Sequence, residues 1–220
     1  MKTQTNSKPV RVVIVEDHLM FREWLGQMLG KTGAFTICGE TDNIADASNI
    51  IRRTMPDIAI VDLTLRGSSG LELIKNLKAE EIDVPVLVLS MHDEELYAER
   101  VIRAGARGYI SKHEASTTLA EAIGKVVGGE VYLGSKITAQ VLRKLAGGPA
   151  KSWGLDLLAD RELEVFQLIG KGFNSRQISE QIHLGESTVE TYRARIKDKL
   201  GLKNAAELYT RAATWVSGAG

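Results

Sequence analysis

Four short apolar runs in the first half of the chain each end in a residue that can do chemistry. Val12-Val13-Ile14-Val15 leads into Glu16-Asp17, and Ile58-Ala59-Ile60-Val61 leads into Asp62. Val86-Leu87-Val88-Leu89 leads into Ser90, and Gly108-Tyr109-Ile110-Ser111 leads into Lys112. Three carboxylates, a hydroxyl and an amine in one pocket suit a definite chemistry. Mg²⁺ prefers oxygen ligands and is held by one or two carboxylates plus phosphate oxygens. Glu16, Asp17 and Asp62 offer those carboxylates, and crowding them without a cation costs repulsion. Asp62 can attack a phosphoryl group as a carboxylate nucleophile. Lys112 can neutralise the resulting anion, and Ser90 can donate a hydrogen bond to it. The backbone carbonyl of Thr64 stands where it can complete the metal shell.

These residues meet only if the four runs are parallel strands of one α/β sheet, whose C-terminal ends share an edge. That edge is where open α/β sheets bind ligands. Apolar runs near 10–15, 34–39, 57–62, 85–90 and 107–110 alternate with amphipathic stretches near 18–30, 43–54, 69–80, 93–104 and 114–128. Five such units predict a doubly wound, five-stranded parallel sheet of flavodoxin-like type, covered by helices on both faces. The first, third and fourth runs are apolar at nearly every position, as central strands should be.

A bland role is open to each residue alone. Asp17 and Ser90 can cap the helices that follow, and Tyr109 can be a core aromatic. Five such coincidences on one sheet edge favour a functional pocket.

The chain holds 28 Lys+Arg and 28 Asp+Glu in 220 residues, so no overall field draws it to nucleic acid or membrane. Any nucleic-acid signal must be local. The single Cys38 excludes an internal disulfide and fits a reducing compartment. No signal-peptide pattern or membrane-length apolar run occurs, and a cytoplasmic protein is expected.

A helix is possible near 135–146, and Gly147-Gly148-Pro149 then breaks it. The expected plan is one domain over 9–128, a connecting region over 129–154, and an all-α domain over 155–216. In the last, helical segments fall near 160–170, 175–183, 187–200 and 204–215. The second and third, joined by Leu184-Gly185-Glu186, have helix-turn-helix proportions. Val189, Tyr192, Ile196 and Leu200 form an apolar stripe. Residues 187–203 carry five basic residues (Arg193, Arg195, Lys197, Lys199 and Lys203) against Glu190 and Asp198, a local net charge of +3.

The pocket residues carry a resemblance. Glu16-Asp17, Asp62, Ser90, Tyr109 and Lys112, in that order, resemble the characteristic set of a two-component receiver domain. The resemblance implies phosphoryl transfer from a histidine kinase to Asp62. It implies Mg²⁺ bound by Glu16, Asp17, Asp62 and the Thr64 carbonyl, with Ser90 and Tyr109 as switch residues. Two positions depart from the pattern: Arg66 stands where many receivers have Pro, and His113 follows Lys112 where many have Pro. A cis bond before a non-proline residue costs ~2.5–4 kcal/mol, so a trans bond is expected there.

The last segment resembles the LuxR-type four-helix DNA-binding domain. Asp160-Arg161-Glu162-Leu163-Glu164-Val165, Arg176-Gln177-Ile178-Ser179, Ser187-Thr188-Val189-Glu190-Thr191-Tyr192 and Lys199-Leu200-Gly201-Leu202 carry the likeness. Together the halves resemble the NarL/FixJ class of response regulators. This implies a phosphorylation-dependent DNA-binding regulator that turns over no small molecule and forms a homodimer when active. In that class the third helix of the domain enters double-stranded DNA and the fourth supports dimerisation. Its candidate contacts are Ser187, Thr188, Glu190, Thr191, Arg193, Ala194, Arg195, Lys197 and Lys199.

Thr191 and Ala194 suit thymine methyls. Arg193, Arg195, Lys197 and Lys199 suit phosphates, which position a protein without reading sequence. Ser187 and Glu190 have the spacing of a capping box, with contact to cytosine N4 as the alternative for Glu190. Ala159 stands where the family usually caps its first helix with Thr, and Asp160 is a substitute cap.

Two other functions make contrasting claims. Haloacid-dehalogenase-type hydrolases place a second Asp two residues after the nucleophile, where this chain has Thr64. A signalling adaptor would use the helical segment to bind protein instead of DNA.

Overall fold

The computed structural model describes residues 8–65, 68–91, 94–134, 137–139 and 154–217. They fall in two compact units, 1–148 and 149–220.

The first unit is built on strands β1 (Val10–Val15), β2 (Phe35–Thr41), β3 (Ile58–Val61), β6 (Val86–Ser90) and β7 (Gly108–Ser111). They lie in the order β2-β1-β3-β6-β7, every neighbouring pair parallel. Helices α1 (Leu19–Gly30), α2 (Ile44–Thr54), α3 (Gly70–Ala79), α4 (Glu94–Ala104) and α5 (Ala115–Val127) alternate with them. Side chains alternate across a strand. Val12, Ile14, Ile58, Ile60, Leu87 and Leu89 therefore share one face, where they meet α1 and α5. Val13, Val15, Ala59 and Val61 face the other way and are equally buried. This double burial is why β3 and the Val12–Val15 stretch of β1 read as unbroken apolar runs. Truncating a residue such as Ile60 to Ala should cost about 2–5 kcal/mol.

Register brings the strand ends level. Val15 pairs with Val61, Val61 with Val88, and Ser90 with Ser111. The ladder continues past the strands. The Asp62 N–H donates to the Val15 carbonyl at 2.9 Å, and the Lys112 N–H to the Ser90 carbonyl at 2.9 Å. The chain winds outward in both directions from β1 and β3. Glu16, Asp17 and Asp62 thus leave the sheet at its switch point.

Two features were absent from the sequence reading. A two-rung antiparallel ladder joins β4 (Thr64–Leu65) to β5 (Ser68–Ser69) between β3 and α3. Beyond α5, Tyr132 bridges Gly108 at the sheet edge, and its carbonyl accepts the Tyr109 N–H at 2.9 Å. The first residues of the expected connecting region are therefore part of this edge. Residues 137–139 are helical, while the rest of the helix expected near 135–146 and Gly147-Gly148-Pro149 lie outside the described residues.

The second unit holds a 3-10 turn (Leu155–Leu157) and helices α6 (Asp160–Gly170), α7 (Ser175–Gln181), α8 (Glu186–Leu200) and α9 (Ala205–Val216). Leu163, Phe166, Ile178, Val189, Ile196 and Leu208 form its core. Local chemistry sets the boundaries. Asn174 accepts the Gln177 N–H at 2.9 Å, and the Gln177 side chain accepts the Asn174 N–H at 3.0 Å. Helix α8 stops at Gly201, whose φ of 65° is the left-handed cap that glycine adopts most easily. Among the described residues no helix is long and apolar enough to cross a membrane.

Candidate functional site

Glu16, Asp17 and Asp62 are 2%, 6% and 4% exposed, and burial on this scale makes their shared charge costly. One ligand atom from each, with one from His18, lies within 4.8 Å of the others. Lys112 Nζ sits 2.7 Å from Glu16 Oε2 and 2.7 Å from Asp62 Oδ2. It also lies 4.6 Å from the centre of the Phe21 ring, a cation–π contact. The Thr64 N–H donates to Asp62 Oδ1 at 3.3 Å. Ser90, fully buried, ends β6, and Tyr109, also fully buried, pairs with Val88 two residues before it.

The electrostatics follow from burial. Desolvation pushes the Asp62 carboxyl up, Lys112 pulls it down and Glu16 pushes it up again, leaving it raised to about 7. Desolvation alone would lower Lys112, but Asp62 and Glu16 outweigh it and hold the amine above its ordinary value. Three acid groups share one ammonium in a buried pocket, so negative charge is in excess whenever they ionise. That balance fits a divalent cation, and the all-oxygen carboxylate set fits a hard one such as Mg²⁺. His18 fits less well as a ligand: its side chain is 70% exposed and its Nδ1 lies 3.0 Å from Asp17 Oδ1.

Three residues that flank the pocket escaped the sequence reading: Phe21, Arg22 and Gly70. The Arg22 guanidinium donates to the Glu16 carbonyl and braces the loop after β1. Gly70 opens α3 against the backbone of Asp62, where an added Cβ would stand 2.0 Å from the Asp62 carbonyl oxygen. Phe21 and Arg22 lie in the first turn of α1, and no local pattern sets them apart from its other residues.

In the second unit, α7 and α8 are joined by a short four-residue turn, 182–185: α7 ends two residues before the expected 183, and Glu186, expected in the turn, already belongs to α8. Helix α8 turns Val189, Arg193 and Ile196 inward. Ser187, Thr191, Ala194 and Arg195 are exposed, and Thr188 and Lys197 are half-buried.

Residues 12–124 match the response regulator receiver domain, and 156–212 match the bacterial regulatory proteins of the luxR family. The chain is a response regulator of the LuxR type. BvgA of Bordetella pertussis is 32% identical over 198 residues, spanning 90% of this chain and 94% of that protein. The DNA-binding transcriptional activator DevR/DosR of Mycobacterium tuberculosis is 30% identical, spanning 90% and 91%. In fold, the response regulator resembles RcsB from Salmonella enterica bound to promoter rprA with the phosphomimetic BeF₃⁻. The TM-score is 0.61 at 21% identity, over 93% of this chain and 98% of that one.

Several features of this response regulator differ from the sequence expectation. Helix α1 begins after His18, so Asp17 is not its N-cap. The region where Ser90 was an alternative cap, 92–93, lies outside the described residues, as does Arg66. No cis bond occurs among the described residues, as expected for Lys112–His113. Helix α8 begins one residue early with Gly185 at its N-cap, so Ser187 and Glu190 form no capping box. The Glu190 carboxylate instead accepts from the Ser175 hydroxyl. Ala159, not Asp160, is the N-cap of α6, and the Glu162 carboxylate accepts its N–H at 2.7 Å.

Two basic residues expected at DNA phosphates also point elsewhere. Arg193 is 9% exposed and donates to Ser175 Oγ and the Tyr209 hydroxyl. Lys199 Nζ lies 2.6 Å from Glu162 Oε2, a carboxylate 3% exposed, and so ties α8 to the start of α6.

Proposed function

We propose that Asp62 is the phosphoryl acceptor of this response regulator, with the phosphoryl group supplied by a partner histidine kinase. The supporting observation is the position of Lys112 Nζ, 2.7 Å from the carboxylates of both Asp62 and Glu16. An Asp62 carboxylate oxygen attacks phosphorus, the new O–P bond forms, and the P–N bond to the kinase histidine breaks. Lys112 already touches Asp62 and is placed to meet the added negative charge as it leaves Glu16. Glu16, Asp17, Asp62 and the Thr64 carbonyl are the residues proposed to hold Mg²⁺. When bound, Mg²⁺ supplies charge neutralisation to the transferring phosphoryl oxygens. Ser90 donates its hydroxyl to the phosphoryl group, and Tyr109 behind it reports the change through the β7 edge.

The output is DNA binding by α8 in a dimer, switched by the state of Asp62 in the cytoplasm. Exposed Ser187, Thr191 and Ala194 read base edges, and Arg195 and Lys197 contact phosphates. Mg²⁺-dependent labelling by radioactive acetyl phosphate tests the first half: Asp62→Asn should label at background, and retained labelling would sink the assignment. Filter binding across a salt series tests the second, since phosphate contacts release counterions and steepen the salt slope. A flat response favours a protein-binding output.

A further inference from the structure

Four residues from three helices meet beneath the outward face of α8. Arg193 Nη1 lies 2.8 Å from Ser175 Oγ, at the first turn of α7. Arg193 Nη2 lies 2.9 Å from the Tyr209 hydroxyl on α9, and the guanidinium carbon sits 4.9 Å from the centre of the Tyr209 ring. Arg193 Nε is 3.7 Å from Glu190 Oε1, and the same Glu190 oxygen accepts from Ser175. A guanidinium has five donors in a rigid plane, so it can hold several partners at once in fixed directions. Arg193 shares its helix face with Val189 and Ile196, both fully buried. Turning it outward would break its hydrogen bonds to Ser175 and Tyr209 and open a gap beside Val189 and Ile196.

We propose that Arg193 is a positioning residue that sets the angle of α8 against α7 and α9, and that it contacts no DNA phosphate. Glu190 is its partner, its carboxylate held toward Ser175 as counter-charge. The basic residues of α8 thus divide by direction, with Arg193 fastening the helix from beneath and Arg195 and Lys197 facing DNA. The proposal rests on the DNA-binding reading and adds the geometry on which sequence selection depends. A helix at the wrong angle still meets phosphates but misplaces Thr191 and Ala194 against the bases.

Full-length protein is tested on a short duplex enriched by the wild-type chain from a random-sequence library, and on a scrambled duplex of the same composition. Affinity is read by fluorescence anisotropy over a salt series. Arg193→Met keeps the stem and removes the donors. It should weaken the enriched duplex by about tenfold relative to the scrambled one, with the salt slope unchanged. Lys197→Met should reduce the slope by about one unit on both duplexes. Tyr209→Phe removes a single hydroxyl, and should lower the preference by about threefold with the slope again unchanged.

Should Arg193→Met melt below the assay temperature, Tyr209→Phe carries the test. A slope that falls by about one unit in Arg193→Met overturns the proposal, as does an unchanged preference in Tyr209→Phe. A flat slope for the wild-type chain is a different failure. It overturns the DNA-binding reading and this proposal with it.

Discussion

The two units each bury a basic side chain against carboxylates, and the two arrangements differ in their balance. At the sheet edge, Lys112 faces Glu16 and Asp62 with Asp17 beside them, so negative charge is in excess. In the helical unit, Arg193 faces one carboxylate, Glu190, and donates to two hydroxyls, those of Ser175 and Tyr209. Burying charge is costly unless it is paired and hydrogen-bonded. The balanced network satisfies itself and acts as a fastening. The unbalanced pocket is completed by something from outside, and a cation and a phosphoryl group are what its donors suit. The excess of charge, more than the presence of charge, separates a binding site from a structural clamp.

That contrast is tested first at Asp62, where the largest effect is expected. Asp62→Asn should reduce acetyl phosphate labelling to background while the melting midpoint, without Mg²⁺, stays level or rises, because one buried negative charge is gone. A strongly lowered midpoint would mean that Asp62 is part of a satisfied network like that of Arg193.

Next comes Lys112→Met. Removing the ammonium that contacts both buried carboxylates should cost about 3–5 kcal/mol at neutral pH, read by urea unfolding in EDTA. Adding Mg²⁺ should return part of that loss, whereas no Mg²⁺ should restore an Arg193→Met variant. Equal responses to Mg²⁺ would erase the distinction between the units.

The third effect is one of pH. Asp62 is raised from 3.8 to about 7, chiefly by desolvation. Between those values the folded protein keeps a proton that the unfolded chain has released. Stability of the metal-free protein therefore falls as pH rises through that window. Mg²⁺ competes with the same proton, so its affinity should rise with pH and level off above about 7. Calorimetric titrations on either side of that value check the sign, and stronger binding at the acid end would contradict it.

The smallest effect is expected at Glu190→Gln. This carboxylate is 59% exposed, so solvent screens it and the loss should stay within about 1 kcal/mol by thermal unfolding.

The first unit was readable because its central strands are buried on both faces. Unbroken apolar runs at β1, β3 and β6 mark their own ends, and the next residue is then at the sheet edge. This is how Glu16, Asp17, Asp62, Ser90 and Lys112 could be gathered from positions as far apart as 16 and 112. The partners from α1 were less legible. Phe21 and Arg22 sit in an amphipathic helix, where nothing local marks the side chain that stacks on Lys112 or holds the Glu16 carbonyl. Gly70 was hidden in the same way, since its need is for space against the Asp62 backbone.

By itself the sequence determined the order of strands and helices, the residues at the strand ends and the family to which both halves belong. The elements and their ends depend on hydrophobic period and spacing, which are local properties of the chain, while the family rests on the likeness of its motifs. Only the tertiary structure decided which charges on α8 face inward. Arg193, Arg195, Lys197 and Lys199 read alike as a basic run. Their directions depend on Ser175, Tyr209 and Glu162, brought from other helices by core packing. A charge is assigned by the groups that surround it, and in α8 those groups come from across the fold.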